Sequence, residues 1–214
     1  MRFSERFRPG TLSEVVGQPV TALLERFVTQ PKEQAFACEG PPGCGKTSAA
    51  YALAHDLGCS DFGGLYVEKA SDLNVDRCRQ LFDQTLRLIP MYGSRWKVLI
   101  IEEFEYVVSD AVKRYLKVAL ENLPPHTIVV ATSNDASKIE KALRQRFTWL
   151  QFSGGPLFAR YAREHITRIW EREFPHIDLP REWTNWGWDD GEFSMRLAWT
   201  QLENWAMMVE EVGV

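Results

Sequence analysis

The sequence predicts an α/β fold in which a parallel sheet is flanked by helices and followed by a smaller helical domain. Three observations support this prediction. Apolar runs alternate with amphipathic stretches of helical length, a glycine-rich motif joins one such pair, and the pattern changes near residue 154. The chain has 214 residues, which is enough for a main domain and a small second one.

Five short apolar runs are the strand candidates. Continuous runs of this kind are typical of strands in a parallel sheet that is covered on both faces. Amphipathic stretches lie between them, and this alternation favours an α/β fold with right-handed crossovers. The strand candidates are 35–39, 64–68, 97–101, 127–132 and 148–152, and the helix candidates are 46–57, 73–88, 109–121 and 138–145.

The glycine- and proline-containing segment 153–156 is the strongest boundary signal in the second half of the chain. Beyond it the pattern predicts helices without strands. We therefore expect an α/β domain over residues 1–153 and a small helical domain over 154–214.

Six of the eight tryptophans lie at Trp170 or beyond. We expect Trp199 and Trp205 in the core of the helical domain. Trp183, Trp186 and Trp188 alternate with polar residues, and this alternation is also consistent with a contact to a partner protein.

Composition narrows the class of protein. No apolar run approaches the roughly 20 residues that span a bilayer, and no signal peptide is evident at the start. The four cysteines, Cys38, Cys44, Cys59 and Cys78, form no Cys-x-x-Cys pair, so we expect reduced thiols in a cytoplasmic protein and no zinc site. The net charge of −4 disfavours a protein that coats nucleic acid but allows a local basic surface.

Residues 40–47 match the phosphate-loop (P-loop) pattern G-x-x-x-x-G-K-[ST] in full. The loop follows a strand candidate and precedes a helix candidate, so its main-chain N–H groups and the helix N-terminus would face the phosphates of ATP. Lys46 would reach the β- and γ-phosphates, and the Thr47 hydroxyl would bind Mg²⁺. The predicted nucleotide-binding residues of the loop are Pro41, Pro42, Gly43, Cys44, Gly45, Lys46, Thr47 and Ser48.

Polar residues follow the next two buried strands. Glu102 and Glu103 come directly after the strand candidate 97–101, and Asn134 follows 127–132. We expect Glu102 to hold the magnesium ion, Glu103 to orient the attacking water and Asn134 to lie near the γ-phosphate. The alternative is a solvated acidic turn, since Glu105 follows the pair.

Taken in order, these motifs resemble the AAA+ ATPases, and among them the clamp-loader group of replication factor C small subunits and bacterial gamma/tau and delta-prime subunits. Residues 5–18 are similar to the group's opening "KYRP…L…VVGQ", 70–72 to its "NASD" and 120–126 to its "LEEPPEH". This resemblance implies that Mg²⁺ and ATP are the cofactors. It also places four residues beside the adenine, namely Arg8, Pro9, Val15 and Val16.

The resemblance also gives two arginines a role. Arg146 stands where the group has its "SRC" motif, which would make it an arginine finger acting on the nucleotide of a neighbouring AAA+ subunit. Arg196 lies in a segment similar to "GDMR", which would make it a sensor of the γ-phosphate in its own subunit. An arginine finger implies an oligomer with nucleotide at the subunit junctions.

Two departures from the group are visible. Its acidic pair is Asp-Glu, whereas this chain has Glu102-Glu103, which puts the rate of hydrolysis in question. Clamp loaders also carry a third helical domain, the collar, for which 214 residues leave no room.

Surfaces for DNA and a sliding clamp follow from the same resemblance. Residues 86–92 are apolar and lie where the group contacts the clamp, although a helix end in the core fits them slightly better. The regions that would face DNA carry five basic residues, namely Arg77, Arg79, Lys113, Arg114 and Lys117, for which a solvated helix face is an equal alternative.

Three functions therefore remain open. The first is a clamp-loader-like ATPase that opens and loads a sliding clamp on primed DNA. The second is a non-clamp AAA+ DNA-remodelling or transposition-type regulator. The third is a structural nucleotide-binding subunit that hydrolyses little ATP. None of them requires a membrane.

Overall fold

A computed structural model describes residues 2–90 and 93–212. It contains one five-stranded parallel sheet with the strand order β2-β3-β4-β1-β5. All five predicted strands are present within one or two residues of the expected bounds, and the predicted fold class is confirmed. The strands are β1 (Gln34–Glu39), β2 (Leu65–Lys69), β3 (Lys97–Glu102), β4 (Thr127–Ser133) and β5 (Thr148–Gln151).

The apolar runs form the centre of this sheet because both of its faces are covered. Along β3, Val98 and Ile100 pack into a core on one face, whereas Leu99 and Ile101 pack into a second core on the other. Successive side chains of a strand point to opposite faces, so a run without polar residues supplies both cores.

Eight helices are described. The predicted helices 46–57 and 109–121 are present as α3 and α5, and Ser109 accepts a hydrogen bond from the Val112 N–H at the start of α5. The helices are α1 (Phe3–Arg6), α2 (Thr21–Thr29), α3 (Lys46–Asp56), α4 (Val75–Arg79), α5 (Asp110–Glu121), α6 (Lys141–Arg144), α7 (Pro156–Glu173) and α8 (Met195–Val212).

Two helix predictions were wrong in extent. The segment 73–88 begins as a helix only after the cap at Asn74, whose side chain accepts from the Arg77 N–H, and it then changes to a π-helical and a 3₁₀ turn over 80–87. The segment 138–145 is a 3₁₀ turn followed by the four-residue α6. There, the Asp135 carboxylate accepts from the Ser137 N–H and favours a turn over helix.

The prediction of helices without strands beyond residue 153 was also wrong. Between α7 and α8 lies a short antiparallel hairpin of β6 (Trp188–Asp189) and β7 (Glu192–Phe193). Its two turn residues, Asp190 and Gly191, both have positive φ. An Asp-Gly pair is a strong signal for a two-residue hairpin turn, so the sequence contained the information. The domain boundary at 153/154 stays a prediction.

The tryptophans pack more deeply than expected. Trp170 and Trp199 are buried in the core, and Trp205 packs on Trp170 with ring centroids 5.7 Å apart. Trp183 is also buried, which contradicts its predicted role at a partner surface. Trp186 and Trp188 are partly buried against the same core. They supply apolar area that a small helical unit needs.

Within residues 2–90 and 93–212, none of the helices combines the length and the apolar character that crossing a bilayer requires. All four cysteines are buried free thiols, in agreement with the prediction.

Candidate nucleotide-binding site

The phosphate loop connects the end of β1 to the start of α3. Its three glycines have positive φ, with values of 155° at Gly40, 76° at Gly43 and 98° at Gly45. A Cβ atom added at Gly45 would meet no heavy atom within 4 Å, so the space above the N-terminus of α3 is open. This open cradle of main-chain N–H groups suits a phosphate group.

Lys46 is buried at the first position of α3. Its Nζ donates hydrogen bonds to the carbonyl oxygens of Gly40 and Pro41, both at 2.7 Å, and to Asn134 Oδ1 at 3.0 Å. Burial lowers the pKa of the ammonium group, while the nearby Cys44, Cys38 and Glu105 groups raise it. The ammonium is thus held inside the loop by Asn134 and by two loop carbonyls, and phosphate oxygens could replace the two carbonyls.

The polar residues after β3 and β4 lie at the same sheet edge as the loop, because the strands are parallel and neighbouring. Glu102 is half-buried at the end of β3, and Glu103 is exposed with a φ of 56°. The Glu103 N–H donates to Thr132 Oγ1 at 3.3 Å, which joins the two strand ends. The structure therefore brings Lys46, the acidic pair and Asn134 together.

Glu105 does not fit the alternative of a solvated acidic turn. Its side chain is only 9% exposed, because the 3₁₀ turn Phe104–Tyr106 folds back against the end of β4. One carboxylate oxygen accepts a hydrogen bond from the Asn134 N–H at 3.0 Å. Sequence reasoning missed this contact because no local pattern indicates which of three glutamates turns inward.

The magnesium ion would be held by the Thr47 hydroxyl and Glu102. Among the residues that the structure describes, no group of three or more His, Cys, Asp or Glu side chains could hold a metal by itself. This suits Mg²⁺, which usually takes one or two carboxylates and completes its shell with water and substrate phosphates. The donor set therefore fits the ion in the presence of a nucleotide.

The N-terminal segment packs against α3, as the Leu12 N–H donates to Asp56 Oδ2 at 2.9 Å. Arg8 lies with its guanidinium 4.7 Å from the centre of the Tyr51 ring, a contact that sequence reasoning missed. Burial and the nearby Glu102 raise the pKa of Tyr51, whereas Arg8 lowers it.

The other predicted adenine neighbours differ in exposure. Val15 is buried in the core, whereas Pro9 and Val16 are partly exposed. Their contact with a base stays a prediction.

Gln18 is a second residue that sequence reasoning missed. It is 3% exposed, and its Nε2 donates to the carbonyl oxygens of Cys44 at 2.9 Å and Ser153 at 2.8 Å. Its Oε1 accepts from the Ser153 N–H at 3.0 Å. One carboxamide therefore joins the phosphate loop to the segment that leads into the C-terminal helices.

The start of α8 also contacts the loop. The Met195 N–H donates to the Gly43 carbonyl oxygen at 3.0 Å, and a Cβ at Gly43 would lie 2.0 Å from Ser194 Oγ. Arg196 is exposed on the first turn of α8, close enough to contribute to lowering the pKa of Lys46. Its position is compatible with a contact to phosphate.

We expect Gly43→Ala to lower the free energy of unfolding by about 1–3 kcal/mol more than Gly45→Ala, measured by urea denaturation without nucleotide. Both changes place alanine at positive φ, but only the Cβ at position 43 collides with Ser194. Adding Ser194→Gly should recover part of the loss at position 43 and none at position 45. Equal losses of unfolding free energy for the two single variants would show that Ser194, just before α8, makes no close steric contact with the loop.

Arg146 lies at the other end of the sheet. It pairs with Glu121, donates to the Ala142 carbonyl oxygen at 2.7 Å and lines a pocket of about 390 Å³ beside the start of β1. The phosphate loop follows the opposite end of β1, so Arg146 is not brought to the loop of its own chain. This position is compatible with an arginine finger, which would act on the loop of a neighbouring subunit and not on its own.

Four of the five predicted DNA-facing residues are paired with carboxylates, and Arg114 is exposed. Exposed pairs of this kind contribute little energy and leave the side chains free to exchange partners. The pairs are Arg77 with Glu68, Arg79 with Asp76, Lys113 with Asp110 and Lys117 with Glu140.

For residues 86–92, packing in the core was slightly preferred over a clamp contact. This prediction is correct for Leu86, which is fully buried. It is wrong for Leu88 and Ile89, which are 68% and 75% exposed beside Pro90. Met91 and Tyr92 lie outside the described residues.

Comparison with known proteins agrees with this geometry. The model of the family "ATPase family associated with various cellular activities (AAA)" matches residues 37–154. The replication factor C small subunit of Aeropyrum pernix is 30% identical over 95% of this chain and 62% of its own length. That of Archaeoglobus fulgidus is 30% identical over 79% of this chain and 53% of its own. The chain thus spans about half the length of the curated relatives it matches.

Solved structures show the same fold. The Thermotoga maritima RuvB Holliday junction branch migration motor superimposes with a TM-score of 0.73 at 22% identity, over 97% of this chain and 67% of that one. A DNA polymerase III gamma subunit-related protein from the same organism gives a TM-score of 0.60 at 16% identity, over 91% of this chain and 62% of that one.

Proposed function

This chain belongs to the AAA family of ATPases, and on that premise we propose that it binds ATP with Mg²⁺ and hydrolyses it as one subunit of an oligomer. We further propose that the oligomer resembles a clamp loader, which opens a sliding clamp and places it on primed DNA. The observation that carries the ATPase proposal is the meeting of Lys46, Asn134 and the acidic pair at one edge of the sheet.

Each residue of the site has a role in this reaction. The ammonium of Lys46 would leave the loop carbonyls for the β- and γ-phosphates and offset their charge. Asn134 would keep its Oδ1 bonded to Lys46, and its side-chain NH2 group would donate to the γ-phosphate. When bound, the magnesium ion supplies a Lewis acid that polarises the phosphate oxygens. Thr47 and Glu102 would hold it.

Glu103 is the residue for the attacking water. Its side chain is exposed directly after β3, and its φ of 56° departs from the extended backbone of that strand. A carboxylate there would accept a hydrogen bond from water as the oxygen bonds to the γ-phosphorus. The bond to the bridging oxygen then breaks, giving ADP and phosphate.

The oligomer is supported by the position of Arg146 at the sheet end away from its own loop. There it could supply positive charge to the nucleotide of a neighbouring subunit. The replication factor C relatives and the resemblance of the motifs to clamp loaders support the same assembly. The exposed Leu88 and Ile89 support the clamp as a partner, since they lie where that resemblance places the contact.

A second candidate is a structural subunit that binds nucleotide but hydrolyses little. It is favoured by Glu102, because the extra methylene relative to aspartate moves the metal-side carboxylate. Steady-state ATP turnover of the wild type, with and without primed DNA, decides between the two candidates. A turnover that exceeds that of Glu103→Gln by about 10²-fold supports the enzyme. Equal background rates for both proteins, with ATP still bound, support the structural subunit.

The partner is tested separately by co-sedimentation with sliding clamps in the presence of ATP. We expect wild type to bind a clamp and Leu88→Ser/Ile89→Ser to lose that binding without loss of ATP turnover. Stimulation of turnover by DNA without any clamp binding would favour a DNA-remodelling or transposition-type regulator instead.

A further inference from the structure

Glu105 is a buried carboxylate with an unusual set of contacts. Its Oε1 accepts from the Asn134 N–H at 3.0 Å. Its Oε2 is shielded from solvent and has no hydrogen-bond partner among the residues that the structure describes. A buried carboxylate oxygen without a donor is costly in free energy.

The side chain of Asn134 connects Glu105 to the phosphate loop. The Asn134 Oδ1 accepts from Lys46 Nζ at 3.0 Å, and the other two Lys46 contacts go to loop carbonyls.

We propose that Glu105 is a positioning residue for ATP hydrolysis, which fixes the main chain of Asn134 through the hydrogen bond that its Oε1 accepts. The inference rests on the proposed ATPase function. Asn134 follows directly after β4 and is exposed, so its carboxamide has no packing to orient it. Its carboxamide accepts from Lys46 Nζ, and the hydrogen bond from its main-chain N–H to the buried Glu105 fixes the backbone from which that side chain extends.

Glu39, the last residue of β1, also bonds to the turn after β4 and offers a matched comparison. Glu39 Oε1 accepts from the Ala136 N–H at 2.9 Å, two residues beyond Asn134. Glu39 therefore also ties down the turn after β4, but it does not bond to Asn134. If Glu105 acted only by general support of this turn, loss of Glu39 would have a similar effect.

The test compares Glu105→Ala, Glu105→Gln and Glu39→Ala in ATP turnover and ATP affinity. We expect Glu105→Ala to lower kcat by about 10²-fold with little change in affinity, because a misplacement of about 1 Å near the chemistry has that effect. Glu105→Gln keeps an acceptor for the Asn134 N–H and should retain most of kcat. Glu39→Ala should stay within about threefold of wild type.

A double-mutant cycle shows whether Glu105 acts through Asn134. In an Asn134→Ala background, Glu105→Ala should lower kcat by less than about threefold, because the side chain that it orients is gone. Multiplicative losses would overturn the proposal. Equal losses of kcat in Glu105→Ala and Glu39→Ala would also overturn it.

The rate of hydrogen exchange at the Asn134 main-chain amide tests whether Glu105 fixes that residue, even if no variant hydrolyses ATP. A wild type without turnover contradicts the proposed ATPase function alone. Faster exchange in Glu105→Ala and wild-type exchange in Glu105→Gln would still support the positioning role. Unchanged exchange in Glu105→Ala would overturn it.

Discussion

Replacement of Lys46 by alanine is expected to lower ATP turnover by about 10³-fold. The residue is a buried ammonium at the start of α3, and in the proposed site it would meet the phosphates away from bulk water. Charge interactions are stronger in such an environment, and no solvent can replace the missing donor. Turnover at saturating ATP and binding of a fluorescent ATP analogue measure the two effects separately.

The matched control is Lys32→Ala, which removes an exposed lysine before β1 and should leave turnover unchanged. Lys46→Ala also leaves the Gly40 and Pro41 carbonyl oxygens without their donor, so thermal unfolding should accompany the assay. A folded Lys46→Ala protein with turnover within threefold of wild type would contradict the assignment of the phosphate site.

Replacement of Arg146 by alanine is expected to lower turnover of the assembled oligomer by about 10³-fold or more, with ATP binding nearly unchanged. The guanidinium lies at the end of the sheet opposite its own phosphate loop, and the proposed finger would act on a neighbour. Glu121→Gln is the matched control, because it breaks the ion pair at Arg146 and leaves the arginine in place. It should keep wild-type turnover.

Complementation distinguishes a finger that acts between subunits from one that supports its own chain. Arg146→Ala subunits retain a phosphate loop, and Lys46→Ala subunits retain the finger. An equimolar mixture should hydrolyse ATP well above either protein alone. If the mixture merely averages the two rates, Arg146 does not act on a neighbour.

Much of the fold could be predicted because the signals are local. The run from Val98 to Ile101 has no polar residue and is therefore buried on both faces of the sheet. The phosphate loop carries its own conformational requirements in its glycines. Such features depend on residues that are close in sequence, so the sequence alone is enough to predict them.

The missed features depend on contacts between distant segments. Gln18 and Ser153 are 135 positions apart, and no spacing rule connects them. Glu105 differs from Glu103 only in the direction that the turn after β3 gives it. The Asp190-Gly191 hairpin is different, because its turn signal was present and was outweighed by the helical pattern around it.

The contacts of Gln18 bear on how this chain would respond to its ligand. A shift of the Cys44 carbonyl by more than a few tenths of an ångström would stretch a bond whose donor also holds Ser153. Leaving a buried amide unsatisfied costs about 1–3 kcal/mol, so the two segments would move together before they separate. Binding of a nucleotide in the phosphate loop would thus be transmitted to Ser153, which lies just before the start of α7, through the side chain of Gln18.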